Sequence, residues 1–564
     1  MTELWNIVGG KVYDPANGIA GEVRELWIRD GRIVAAPQVA KTDSATFGTT
    51  KSAPPEVPYR TLDATGYVVF PGGIDMHSHV AGGKVNTGRA MLPEARRTGK
   101  HYEAAISQNS EFLPPGSLGI VPTTLATGYR YCGLGYTTVF DAAVAPLLAR
   151  LAHRDLDEIP NLDTGCYLLV GNDRRLLELL ASNRREDSLG YLAWLLNVAR
   201  GYALKVVNPG GVESWKQGRS GDFADLDQEL PDLPLTPRRI LREIAELAVE
   251  LKLPHPAHIH CNNLGHAGNY RTTLETMRTL AGLPAHLTHI QFHSYSGGVG
   301  DEGSFGSGVG PLVDWFNSHP ELSVDVGQAL FGPTISMTGD SAAAQYLARI
   351  TGGRRFNHDL AGCGGCGVIP VEYKQHSLIH AWQFAIGLEW YLTAADPWRL
   401  ALTTDHPNGA VFWRYPTLIR LLMDSAYRRE VWQTLPRRVR ERSTVAKLER
   451  EYSLAEICIL TRAAPARLLG LADRGHLGPG AVADLAIYAP SDNYEEMFSV
   501  PVYTIHAGEI VVERGELRQL TTGTRLQATN VLPELLHSAG GIDLADWMAE
   551  NLEMATVNFA FGEE

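Results

Sequence analysis

GGIDMHSHVAGG, residues 72–83, follows the apolar run Tyr67-Val68-Val69-Phe70 and ends in two glycines. Alternate side chains of a strand point to the same face, so His77 and His79 share one. The apolar run before them and the glycines after them place both imidazoles where a strand gives way to a loop. Neutral imidazole is the commonest metal ligand near pH 7. Two hydrogen-bonded structural histidines would leave the same trace, so the HxH pair needs corroboration from elsewhere in the chain.

Other strand ends supply it. GYALKVVNPGG buries Lys205 in an apolar strand, where an unpaired ammonium is costly and the amine becomes a better nucleophile. A neutral buried lysine adds carbon dioxide to become a carbamate, which turns a cation into a bridging anionic ligand. A lysine reaching out to solvent is the plainer reading. PAHIHCNN carries His258 and His260, and LTHIQFHSYSG carries His289 and His293, each pair on one strand face. His260 and His293 lie nearest the strand ends and are the preferred ligands; His258 and His289 are read as supporting residues. LTTDHPN ends a strand with Asp405, a carboxylate able to bind metal and accept a proton from water. His77, His79, Lys205, His260, His293 and Asp405 together suit two divalent metal ions bridged by hydroxide and a carbamate.

The pattern around these residues predicts the architecture. Between about 66 and 410, short apolar strands recur, several separated by helical stretches such as PRRILREIAELAVELK and RTTLETMRTLAG. Strands alternating with helices imply βαβ units and a parallel sheet, here an eight-fold (β/α)8 barrel with insertions. Hairpin texture fills both ends, in GGKVYDPANGIAGEVRELWIRDGRI and in GHLGPGAVADLAIYAP. The expected division is 1–65 and 471–520 as two parts of a composite β-sandwich, 66–470 as the barrel, and 521–564 as a helical tail. Residues 38–60 read as a loop.

Totals exclude several classes. A chain of 564 residues, 44% apolar and 20% charged, exceeds the about 250–300 residues at which single cores stop growing. The net charge of −13 comes without a block of like charges, so neither nucleic acid nor an anionic membrane surface is expected as a partner. Six scattered cysteines form no disulfide framework and point to a reducing, cytoplasmic setting. Cys363-Gly-Gly-Cys366 lacks a second pair and reads as a Gly-rich loop. The N-terminus has no signal-peptide pattern, and no run of 18 apolar residues suggests a membrane span.

HxH, then Lys, His, His and Asp at successive strand ends, with flanking β segments, resembles the amidohydrolase superfamily over roughly residues 5–515. The longer stretches HSHVAGGKVNTGR, KVVNPGGVESW, HIHCNNLGHAGNYRTT, LTHIQFHSYSG and LTTDHPNGA resemble the A-type subunits of formylmethanofuran dehydrogenase and of the bacterial formyltransferase/hydrolase complex. The resemblance implies hydrolysis, in one-carbon metabolism, of an N-formyl methanofuran- or methylofuran-type coenzyme to formate and free amine, within a complex holding B-, C- and D-type subunits. It implies His77, His79 and Asp405 on one metal, His260 and His293 on the other, and N6-carboxylysine at Lys205 between them. Asp405 then moves the proton, and zinc suits the nitrogen-rich ligands. Asn262, Arg89 and Arg271 fall in the matching stretches and are candidate substrate contacts; Lys84 shares the loop. The hydrolase complex is preferred because arginines far outnumber the 10 lysines, a bias that suits a GC-rich bacterium. The dehydrogenase is the first alternative and a dihydropyrimidinase-like cyclic amidohydrolase the next. An inactive scaffold would be expected to lack ligands.

Overall fold

The computed structural model describes residues 4–37, 59–91, 119–223, 225–298, 301–351, 356–359 and 365–529. Eight parallel strands pair in chain order: β1 (Gly73–Ser78), β2 (Tyr136–Val144), β3 (Asp163–Leu169), β4 (Ala203–Val207), β5 (Ala257–His260), β6 (Ala285–Leu287), β7 (Leu322–Asp325) and β8 (Leu400–Ala401). All eight are buried throughout, as strands covered on both faces must be. Closure comes just beyond β8, where His406 bridges to Ser78 and its carbonyl accepts the His79 N–H at 2.7 Å. The seam of the barrel therefore lies beside the HxH pair and Asp405. Gly73 has a packing reason to be glycine: a Cβ there would stand 2.6 Å from the Tyr136 ring on β2.

The helices follow local rules. Pro237–Glu250 starts on a Thr236 cap, has Pro at its first turn, and buries Ile240, Leu241, Ile244 and Leu247 against the barrel cluster. Its outer face carries Arg239–Glu243 and Arg242–Glu246 pairs at 2.6 and 2.9 Å.

Both ends of the described chain build one seven-stranded sheet. Lys11–Asp14, Ile19–Val23 and Val68–Pro71 come from the front, and Leu485–Tyr488, Tyr503–His506, Glu509–Glu513 and Glu516–Leu517 from the rear. It packs on a four-stranded sheet from residues 4–63 through Trp5, Ile7, Ile28, Val69, Leu485 and Ile487. Val68–Pro71, whose apolar texture suggests a barrel strand, pairs antiparallel with Leu485–Tyr488 instead. It is buried on both faces like its neighbours in the barrel, so burial pattern alone does not separate the two.

Residues 521–529 contain a short strand, Arg525–Leu526, that lies parallel to β3; the remaining 530–564 of the expected helical tail lie outside the described residues. So does Cys363. Cys132, Cys166, Cys261 and Cys458 are buried and free. Among the described residues no helix is long and apolar enough to cross a membrane.

Between β7 and β8 an insertion folds over the strand ends. Gly332–Thr338, Phe356–Asp359 and Gly365–Tyr373 form an antiparallel sheet, with helix Ser341–Thr351 packed on it. Ile335, Met337 and Val368 of this insertion pack on Val85, in the helix Gly83–Met91 that follows β1.

Candidate metal centre

His77 and His79 leave β1 on one face, as strand alternation requires, and both meet Asp405. His77 Nε2 stands 2.9 Å and His79 Nε2 3.2 Å from Asp405 Oδ1. Asp405 lies four residues beyond β8, with φ +50°, a left-handed backbone uncommon for aspartate. Burial alone would push its carboxyl up. The imidazoles of His289 and His77, with the close approach of His77 and His79 to its oxygen, outweigh burial and hold it well below the usual carboxylate range. His79 is pushed down to about 4, first by burial and then by the nearby Lys84 cation.

Lys205 sits on β4, 2% exposed, and its Nζ has no hydrogen-bond partner among the described residues. Burial pushes the amine down to about 7, against the pull of Asp325 and Asp405. Close to neutral pH it is therefore substantially uncharged, the form that reacts with carbon dioxide.

His260 ends β5. Its ring lies 4.7 Å from that of His289 and 5.0 Å from that of His293, and the three nitrogens fall within one ligand-sized group. Burial holds all three on the neutral side, with lone pairs available. His289 and His293 do not extend β6. The strand ends at Leu287, His289 takes φ +35°, and Ile290–His293 forms a 3-10 turn. Gly327, with φ +66°, makes room for this bend: a Cβ there would lie 2.4 Å from the Cβ of His289. His289 lines the pocket wall alongside His77, His79, Lys205, His260 and Asp405.

The groups fit metal ions. Lys205 Nζ and both His293 nitrogens are buried without hydrogen-bond partners among the described residues, whereas buried polar atoms are ordinarily satisfied. His77, His79 and Asp405 form one potential ligand group, and His260, His289 and His293 another. The pocket above has a cavity volume of about 110 Å³ and is walled by apolar side chains such as Phe292, Tyr346, Leu347 and Ile379.

A sequence model of the amidohydrolase family matches residues 60–512. The chain belongs to the amidohydrolase family. Protein FwdA of Methanocaldococcus jannaschii is 39% identical over 530 residues, covering 91% of this chain and 88% of the relative. The A-type subunit of the formyltransferase/hydrolase complex Fhc of Methylorubrum extorquens is 37% identical over 535 residues, covering 93% and 91%. A chain in the crystal structure of the formyltransferase/hydrolase complex of Methylorubrum extorquens with methylofuran superposes with a TM-score of 0.88 at 34% identity, over 99% of this chain and 96% of that one. The chain is a hydrolase of the amidohydrolase type, and its strands form that family's barrel.

In this amidohydrolase the three candidate substrate residues have other partners. Asn262 is buried and donates to Asn208 Oδ1 at 2.8 Å and to the Pro209 carbonyl at 3.1 Å. Arg89 donates to the carbonyls of Pro122 and Val80 and to Asn86. Arg271 lies over the Tyr270 ring, 5.2 Å from its centroid. None of the three lines the pocket described above. Lys84 is buried, donates to the Ala143 carbonyl and lies 3.6 Å from Asp141.

Two carboxylates emerge that the sequence reading does not single out. Asp325 ends β7 and accepts the hydroxyls of Thr288 (2.6 Å) and Thr403 (2.7 Å) and the His289 N–H (3.0 Å). Its place at a strand end in LSVD is a signal the strand-end rule can find. Asp340 comes from the insertion, is 1% exposed, and brings Oδ2 to 3.5 Å from His260 Nε2. Strand periodicity carries no trace of it.

Proposed function

We propose that this chain is the A-type hydrolase subunit of a cytoplasmic formyltransferase/hydrolase complex, hydrolysing the N-formyl group of a methanofuran- or methylofuran-type coenzyme to formate and free amine. The observation that carries the reading is coverage. The similarity to the A-type subunit of Fhc spans 93% of the chain, and the same chain brings His77, His79, Lys205, His260 and Asp405 to one buried pocket. B-, C- and D-type subunits are the expected partners.

Two divalent cations, zinc by the nitrogen-rich donor set, would supply carbonyl polarisation and a lowered water pKa when bound. His77, His79 and Asp405 would hold one and His260 with His289 or His293 the other. Lys205, as N6-carboxylysine, would reach both. Asp405, kept anionic by its imidazole neighbours, accepts the proton of the attacking water and returns it to the amine nitrogen as the C–N bond breaks. The apolar wall of Phe292, Tyr346, Leu347 and Ile379 excludes bulk water and accommodates the furan end of the carrier. Asn262, Arg89 and Arg271 would act by holding the segments that frame the pocket.

The test is formate release from the N-formyl coenzyme by the purified chain and by its co-expressed complex, with metal counted in the same samples. Release with about two metals per chain supports the reading. Two metals without release, while a hydantoin or dihydropyrimidine is turned over, transfers the pocket to cyclic amides. No metal at all supports the scaffold. Identity to two differently named relatives is nearly equal, which supports a second reading, the A-type chain of a formylmethanofuran dehydrogenase. Co-purification of a redox-active chain distinguishes the two.

A further inference from the structure

Below the pocket the barrel core holds imidazoles that the proposed reaction does not use. His255, just before β5, and His258, on β5, are completely buried. They are joined head to tail. His255 Nδ1 lies 2.7 Å from the Leu468 carbonyl, His255 Nε2 lies 2.9 Å from His258 Nδ1, and His258 Nε2 lies 2.8 Å from His77 Nδ1.

A carbonyl only accepts, so the first contact requires a proton on His255 Nδ1. A neutral imidazole carries one proton, which leaves His255 Nε2 as a lone pair that accepts from His258 Nδ1–H. By the same step His258 Nε2 accepts from His77 Nδ1–H. A second route reaches the same proton independently. The Thr288 hydroxyl donates to Asp325 Oδ2 at 2.6 Å, so its oxygen, in contact with His77 Nδ1, has only acceptor capacity left for it. His77 is thereby left with its Nε2 lone pair facing Asp405 and the pocket.

Proximity alone makes His77, His258 and Asp325 a further possible metal group. The proton on Nδ1 leaves His77 no lone pair there for a metal, and the spacing of the two nitrogens is 2.8 Å. It is a hydrogen-bond distance.

We propose that His255 and His258 are positioning residues: a directional tautomer chain, anchored on the Leu468 carbonyl, that fixes His77 as an Nε2 metal ligand. The proposal rests on the metal reading above. Leu468 lies in the last turn of helix Ala464–Leu469, where carbonyls lack intrahelical partners, so the anchor is an acceptor the helix leaves free.

The test uses the full chain with histidine ring nitrogens labelled, together with divalent-metal affinity measured against a chelator. In the metal-free protein His77, His258 and His255 should each show the Nδ1–H form; an Nε2–H signal at His77 or His258 overturns the proposal. His258→Leu removes one of the two acceptors of the His77 Nδ1 proton and the whole link to His255, leaving Thr288, and should weaken metal binding by about 10-fold or more. His258→Gln, whose amide oxygen again accepts, should recover most of that loss. Wild-type affinity in a folded His258→Leu chain overturns the proposal. If His258→Leu fails to fold, His255→Phe decides: a mixed His258 tautomer supports the chain, and an unchanged one sinks it. A wild-type chain that binds no metal defeats the metal reading, while the ring spectra still decide the tautomers.

Discussion

His77 reaches the pocket from β1 and His79 from one residue beyond its end, on the same face, whereas His289 and His293 reach it from a chain that has left its strand and bent. On the β1 side, alternation places two imidazoles on one face and the barrel seam delivers Asp405 to both. On the β5–β6 side, only His260 follows the strand rule. The rest depends on a left-handed residue, a 3-10 turn and a carboxylate from an insertion. The first flank is dictated by sheet geometry. The second is assembled from irregular backbone held by Asp325 and Gly327.

The contrast is tested most strongly by the carboxylate that meets the imidazoles on each flank. Asp405→Asn should lower kcat for formyl hydrolysis by about 10²–10⁴-fold, the size of a lost proton-transfer group. Asp340→Asn should cost clearly less, because Asp340 reaches one imidazole, His260, at 3.5 Å and otherwise caps the Ala343 N–H. Equal losses would show that the insertion carries chemistry as well as cover.

Next in size is the identity of the ligand after β6. His289 lines the pocket and His293 does not, so His289→Ala should weaken one of two metals by at least about 100-fold, more than an outer partner costs. His293→Ala should weaken it less. The reverse order, read by metal titration, would restore the strand-end preference for His293.

How much of the molecule is legible in the sequence follows the same division. His77, His79, Lys205 and His260 sit on, or one residue beyond, strands that alternation and apolar texture reveal, and the pattern of βα units announces the barrel. The reading that His289 and His293 share one strand face fails on one physical point: faces alternate only while the chain stays extended, and it stops at Leu287. Asp340 is invisible because an insertion between β7 and β8 has its own sheet and no register with the barrel. Val68–Pro71 is misplaced because a strand in a sandwich and a strand in a barrel bury the same residues. The chemical character of the site is more legible than its geometry, since residue type is written in the chain and backbone bends are not.

Gly327→Ala probes the bend directly. A Cβ at φ +66° meets the Cβ of His289 at 2.4 Å, and strain of this kind costs about 1–3 kcal/mol. Thermal unfolding should register that loss, and metal affinity on the His260 side should fall while the His77 side holds. Loss on both sides together would mean the flanks are one mechanical unit.

The last effect concerns Lys205, which lies between the flanks, and is read one pH unit at a time. Its amine falls from the ordinary 10.5 to about 7 on folding, through burial. Between these values the unfolded chain binds a proton that the folded one does not, so stability rises with pH across this window. One group contributes at most about 1.4 kcal/mol per pH unit there. Below about pH 7 both states are protonated, and the folded state carries the full cost of a buried cation. In metal-free, carbon dioxide-free buffer, denaturant unfolding of the wild type should show this rise from about pH 7 upward. Lys205→Met, similar in volume and uncharged, should flatten it and gain stability at low pH. An unchanged slope would mean that the Lys205 amine finds a partner or solvent in the folded chain, and its ease of carboxylation would then need another cause.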